Sequence, residues 1–293
     1  MSLTFKDKLE SDHFLITAEI SPPKGTDLSE ALADAELIRD QVDALNVTDN
    51  QRAVMRMSPL AVSRALLDAG HEVIMQLTCR DRNRLALQSE LLGAYSMGIR
   101  NICVMTGDHT TKGDHPGARP VYDMDSVQLL DIVRRMREGY DLAGNTIDNP
   151  PVFTVGAVTN TDPSKLMQMM KLRKKAKTGL DFIQTQAVYD TGQFQTFMEK
   201  TEDIEVPIIA GLIPLKSAKM ARFMNQNVPG INVPDEIIER IENAERPVDE
   251  GLAICAETAR ELRKLCRGIH IMPIGKHDKT SQILEMAGIR KNI

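Results

Sequence analysis

Three short stretches set chemistry-bearing side chains at the ends of apolar runs. FLITAEISPPKG, residues 14–25, closes a strand-like run on a carboxylate, Glu19, followed by a Ser-Pro-Pro-Lys-Gly turn. Burial there disfavours the charged form and raises the pKa, so Glu19 is either paired with a cation or held as a proton donor facing a cleft. VMTGD ends on Gly107 and Asp108; the glycine lets backbone approach a ligand closely, and the aspartate suits either a site or local turn amides. DFIQTQ ends on Gln186. The segment GDHTTKGDH gathers Asp108, His109, Asp114 and His115, but its spacing matches no zinc pattern and no metal is expected. KLRKKAK, from Lys171 to Lys177, is a basic run that a helix C-terminus favours and that solvent usually bathes. Within it, Lys174 and Lys175 are candidates to meet an anionic cofactor.

The elements that must position these groups alternate strand and helix. Strand patterns fall at Leu15–Ile20, Ala44–Thr48, Glu72–Thr78, Asn101–Thr106, Val152–Val158, Asp181–Gln186, Pro207–Gly211 and Ile269–Pro273. Helical patterns between them include Ser58–Ala69, Arg82–Met97, Asp125–Glu138, Pro163–Thr178, Ser217–Asn225 and Gly251–Arg267. Gly70, Gly98, Gly179 and Gly268 stand where left-handed helix caps would open onto the next strand, and Asp162-Pro163 reads as a helix start. Repeated strand–helix units imply a parallel sheet, and eight of them in 293 residues predict a single-domain (β/α)₈ TIM barrel over residues 1–293. No G-x-G-x-x-G follows a strand, which disfavours a doubly wound sheet. In such a barrel the loops after strands form the chemical face, so His109–Met124 is the expected binding loop. Polar groups do gather at the strand ends: Glu19, Thr48 with Asp49 and Asn50, Gln76 with Thr78, Asp108, Thr159 with Asn160, Gln186, and Lys276 beyond the last strand.

Composition narrows the partners. A net charge of -5 argues against nucleic acid, which needs a basic face. No apolar stretch reaches the ~20 residues of a membrane span. MSLTFKDKLESDHFLITAEI carries acidic residues where a signal peptide would be apolar, so a cytoplasmic location is expected. Cys79, Cys103, Cys255 and Cys266 form neither a disulfide framework nor a zinc signature. The spacing of Leu252, Cys255, Ala259, Leu262 and Cys266 puts the last two cysteines on the core face of one helix.

Taken in order, AEISPPKG, LTCRDRN, VMTGD, TQAVYD and GLIPL resemble the motifs of the methylenetetrahydrofolate reductase family. Those motifs are F-E-F-F-P-P, L-T-C, R-G-D, T-Q-F-F-F-D and G-I-L-P, and the likeness runs from about Leu15 to GIHIMPIGK. The resemblance implies a barrel that binds FAD and reduces 5,10-methylenetetrahydrofolate to 5-methyltetrahydrofolate by hydride transfer from flavin N5. It implies Glu19 as general acid at N10 of the folate and Asp108 as the aspartate that lies near pterin and flavin and tunes both. It places Gln186 and Lys276 on the substrate, and Thr48, Gly107, Tyr122, Lys174 and Lys175 on the flavin. Lys276 stands where an arginine is usual and lacks the two-pronged grip on a carboxylate.

Departures from the pattern bear on the electron source. T-Y-G has become Thr48-Asp49-Asn50, R-G-D has become Thr106-Gly107-Asp108, and the aromatic trio has become Ala187-Val188-Tyr189. With less aromatic surface to stack a nicotinamide, electrons are expected either from NADH or from a metal-containing partner subunit, as in reductases of anaerobic one-carbon metabolism. A homo- or hetero-oligomer is compatible with either source. Two other readings stay open: a pterin-binding barrel transferase without flavin, and a catalytically reduced subunit of a larger complex.

Overall fold

The computed structural model describes residues 3–228, 230–273, 275 and 277–291. Eight strands, β1 (Leu15–Ile20), β2 (Ala44–Val47), β3 (Val73–Thr78), β4 (Asn101–Met105), β5 (Thr154–Thr159), β6 (Phe182–Ala187), β7 (Ile208–Leu212) and β8 (Gly268–Ile271), pair in parallel and in sequence order. β8 closes back on β1, which makes a barrel without sheet edges. The helices are α1 (Phe5–Glu10), α2 (Ser29–Leu37), α3 (Pro59–Asp68), α4 (Arg84–Ser96), α5 (Ser126–Arg137) and α6 (Leu166–Ala176), then α7 (Thr191–Lys200), α8 (Ala218–Asn227), α9 (Asp235–Glu242), α10 (Pro247–Leu262) and α11 (Asp278–Ala287). None of the helices described is long and apolar enough to cross a membrane.

Alternation along each strand sorts side chains into two cores. Outward residues such as Ile16, Ala18, Ile20, Leu45 and Val104 pack against the apolar faces of the helices. Inward residues Leu15, Ala44, Ile74, Cys103, Phe182 and Ile209 make the barrel floor, which α1 plugs with Phe5 and Leu9. The Phe5 and Phe182 rings meet edge to face at 5.4 Å. Lys8 of α1 donates to Asp43 at 2.7 Å, and the other Asp43 oxygen accepts from the Ile16 amide, so the plug is tied to the start of β1. Above the floor lies a buried polar layer. Asn46 and Gln184 exchange side-chain amide bonds at 2.7 and 3.2 Å, and Thr17 sits 2.9 Å from His270 Nδ1.

Three local expectations are corrected by the structure. Gly70, Gly98 and Gly179 do adopt positive φ at helix ends, but Gly268 is the first residue of β8. It is small because a Cβ there would lie 2.4 Å from the Leu15 carbonyl oxygen. Asp162-Pro163 does not start α6; Asp162 accepts from the Ser164 amide and hydroxyl in a turn, and the helix begins at Leu166. Cys255 is buried on α10, whereas Cys266 lies past that helix's last residue and is only half-buried.

Gly156 is bare because Phe182 fills the space beside it: a Cβ would lie 2.2 Å from the ring. Gly156→Ala is expected to lower stability by about 1–3 kcal/mol through overpacking. An unchanged denaturant midpoint would show that the floor has slack.

Candidate active site

The C-terminal ends of the strands hold the polar groups expected there. Glu19 is the fifth residue of β1, paired in register with Asn46, and is 9% exposed. Burial pushes its carboxyl up to about 7 from an ordinary value near 4.5, and a hydrogen bond from Gln51 partly offsets that rise. Gln51 Nε2 donates to Glu19 Oε1 at 2.7 Å. His277, at the N-cap of α11, is buried and held below its usual pKa chiefly by desolvation. Among the described residues no cation pairs with Glu19; its side-chain partner is a neutral amide.

Thr48 follows β2 and is fully buried, yet its hydroxyl has no hydrogen-bond partner. Gly107 follows β4 with φ +87°, and a Cβ there would approach the Thr78 side chain to 3.0 Å. Asp108 comes next; its carboxylate is exposed, 3.8 Å from Lys112. Tyr122, from the long loop after β4, has φ 39°, rare for a bulky residue, and its hydroxyl donates to the Gly107 carbonyl at 3.2 Å. Gln186 is half-buried in β6, where a register shift between Gln184 and Ala187 bends the strand. The Gln186 carbonyl would lie 2.9 Å from a Cβ on Gly211, so that glycine accommodates the bulge.

Glu19, Thr48, Gly107, Asp108, Tyr122 and Gln186 therefore share one mouth of the barrel. Lys174 and Lys175 lie on α6, outside β5. Lys174 is exposed, whereas Lys175 is buried and donates to the Val158 carbonyl at 2.6 Å, with its pKa pushed down to about 8, chiefly by burial. Lys276 lies outside the described residues.

Two groups escaped sequence reasoning. Arg80, 2% exposed, pairs with Asp81 and donates to the Asp108 carbonyl and the Asn50 carbonyl, both at 3.2 Å, bridging the loops after β2 and β4. Gln51 sits on a 3₁₀ turn, Gln51–Ala53, whose link to Glu19 spans 32 positions. The available signal was weak: a polar run, DNQR, directly after the second strand. Asp49, noted as a strand-end polar group, has a structural task, accepting from the Thr78 amide and hydroxyl at 2.9 Å and from Arg82 at 2.8 Å.

Since Glu19 titrates higher folded than unfolded, its contribution to stability is whole below about 4.5 and is lost as pH rises through about 7. The wild type is therefore expected to lose stability relative to Glu19→Gln between about pH 5 and 8, by roughly 3 kcal/mol at full ionisation. Thermal melts of both proteins across that range check this, and parallel curves would place Glu19 in water.

Comparison with known proteins gives a consistent result. The family model for methylenetetrahydrofolate reductase matches residues 4–288. The Caenorhabditis elegans protein named probable methylenetetrahydrofolate reductase (NADPH) is 24% identical over 252 residues, covering 80% of this chain and 35% of that protein. Methylenetetrahydrofolate reductase 2 of Schizosaccharomyces pombe is 24% identical over 258 residues, covering 84% of this chain and 40% of its own length. The chain thus spans well under half the length of these relatives. A solved protein from Clostridium thermocellum, described as binding two copies of 5-methyl-5,6,7,8-tetrahydrofolic acid, superposes with a TM-score of 0.66 at 18% identity over 96% of each chain. At that identity the likeness shows a shared fold.

Proposed function

Because the chain belongs to the methylenetetrahydrofolate reductase family, we propose that it reduces 5,10-methylenetetrahydrofolate to 5-methyltetrahydrofolate with FAD as cofactor. The observation that carries this reading is Glu19: a carboxyl group at the mouth of the barrel, out of water, with a neutral amide as its partner among the described residues and its pKa pushed up to about 7. That is what a general acid needs, since proton donation is most effective when the donor's pKa lies near the working pH. The folate class is supported by the structurally similar Clostridium thermocellum protein, which is described as a methyltetrahydrofolate binder.

The mouth suits a flavin. The Thr48 hydroxyl is buried with an unmet hydrogen bond, and Gly107 sits at a positive φ with Thr78 and Arg80 packed against its Cα. Thr48, Gly107 and Tyr122 would hold the ring system. Lys174 is exposed and free to reach an anionic phosphate, while Lys175 would have to leave the Val158 carbonyl to do so. When bound and reduced by its electron donor, the flavin would supply the hydride accepted by the exocyclic methylene of the folate. The chain's own part is to bind, orient and protonate. Gln186 and Asp108 would meet the pterin from β6 and from the loop after β4. Glu19 would deliver its proton to N10 as the N10–methylene bond breaks and that electron pair returns to nitrogen.

For the electron source, the structure favours a partner over a stacked nicotinamide. Ala187, Val188 and Tyr189 all pack into the apolar clusters beneath the helices, and the Tyr189 hydroxyl donates to the Ile213 carbonyl at 2.9 Å. None of the three lends a ring to the mouth. We therefore read a redox partner protein as the physiological donor, with NADH as the alternative.

The purified protein is expected to be yellow, to bleach with dithionite, and to regain colour on anaerobic addition of methylenetetrahydrofolate. Glu19→Gln should bleach normally but reoxidise about a hundredfold or more slower. NADH alone should bleach the flavin far more slowly than dithionite; rapid bleaching would restore the nicotinamide as donor. A colourless protein that takes up no FAD would favour the pterin-binding transferase. A reduced flavin indifferent to the folate would favour a catalytically reduced subunit.

A further inference from the structure

We infer that Gln51 is the positioning residue of the acid: its amide holds one oxygen of Glu19 and thereby turns the other, proton-bearing oxygen toward the substrate. This rests on the reading of Glu19 as general acid and deepens it.

The bond itself is specific. Gln51 Nε2 donates to Oε1 at 2.7 Å, so the proton of the neutral acid resides on Oε2, which is the oxygen left to donate. A primary amide suits this task better than a cation. An arginine or lysine at the same place would favour the carboxylate and remove the proton, whereas an amide orients the group and lowers its pKa by less than burial raises it.

The turn that carries Gln51 is built to hold it still. Asn50, Arg52 and Ala53, none of them glycine, all have positive φ, at 46°, 57° and 57°. Such backbone persists only where its surroundings over-determine it, and it collects at functional sites. The restraints are visible. The Asn50 carbonyl accepts from Arg80, the Asn50 side chain accepts from the Arg56 amide at 2.9 Å, and the Ala53 amide donates to the Asn50 carbonyl at 2.9 Å. From the other side, Gly113 of the loop after β4 presses so closely that a Cβ there would lie 1.8 Å from the Ala53 carbonyl oxygen. Its neighbour Asp114 accepts from the Met55 amide at 3.0 Å and pairs with Lys24 of the loop after β1. Three mouth loops thus converge on the turn that sets the angle of the acid.

Among the described residues, the cations of the adjoining mouth loops are otherwise engaged. Lys24 is paired with Asp114, Arg56 donates to the Pro22 carbonyl at 3.0 Å, and His277 is kept neutral by burial. The amide is left as the orienting partner of the carboxyl group among the described residues.

Two variants test this in the anaerobic half-reactions, read against Glu19→Gln. Gln51→Leu is expected to bleach with dithionite and bind FAD as the wild type does, yet to reoxidise with the folate roughly tenfold to a hundredfold more slowly. Its rate should also fall off at higher pH than the wild type's, because losing the amide bond raises the pKa of the acid; a merely structural residue would not move that limb. Gly113→Ala, which leaves Gln51 in place but displaces its turn, should slow the same half-reaction. Unchanged reoxidation and pH profile in Gln51→Leu, with Glu19→Gln severely slowed, would overturn the inference and leave the proposed function standing. Equal slowing of both half-reactions would also overturn it, by showing a general structural role. If Glu19→Gln itself reoxidised normally, the acid assignment would fall, and the inference with it.

Discussion

A carboxyl group kept dry, with no counter-cation among the described residues, is the constraint on which this molecule turns. Removing an ionised carboxylate from water is costly, so the group answers by retaining its proton, provided that nothing positive lies within reach. The barrel interior meets that condition layer by layer. Its floor is apolar, closed by Phe5 and Phe182. The layer above is polar but uncharged: Asn46 and Gln184 satisfy each other, and His270 beside Thr17 is held neutral by burial, its pKa pushed down to about 4. A lysine or arginine in that layer would sit in a low dielectric within a few ångströms of Glu19, where even a screened attraction outweighs the desolvation that keeps it protonated.

Rigidity supplies the second requirement of the proposed role, since an acid that donates must also point. The strands are locked by barrel closure, and the loops are locked to each other. Arg80 bridges the loops after β2 and β4 by their carbonyls, and Asp49 ties the end of β2 to Thr78 of β3 and to Arg82. Both are charged and almost wholly buried, a placement that holds only when every charge is met by hydrogen bonds. The same low dielectric silences groups that might otherwise react. Cys79 and Cys103 are pushed up to about 12 by burial, so neither is a thiolate at neutral pH.

Much of this was legible in the chain. Short apolar runs between helical patterns located every strand, and β1 matches its expected bounds, because strands buried on both faces of a parallel barrel are apolar almost throughout. The placement of Glu19, Thr48, Asp108 and Gln186 at strand ends followed from those same patterns. Errors arose where one local signal serves two structures. Gly268 reads as a cap but clears the Leu15 carbonyl, and Asp162-Pro163 reads as a helix start but makes a turn.

By itself, then, the sequence determined the order of elements, the closed parallel barrel they imply, and the end at which polar groups collect; each depends on residues a few positions apart. Only the tertiary structure decided which of those groups meet. Gln51 reaches Glu19 across 32 positions, and Lys24 reaches Asp114 across 90. Tyr189 turns away from the mouth and Lys175 into the wall. Such pairings follow from strand register and loop packing, where distance in space has no simple relation to distance along the chain.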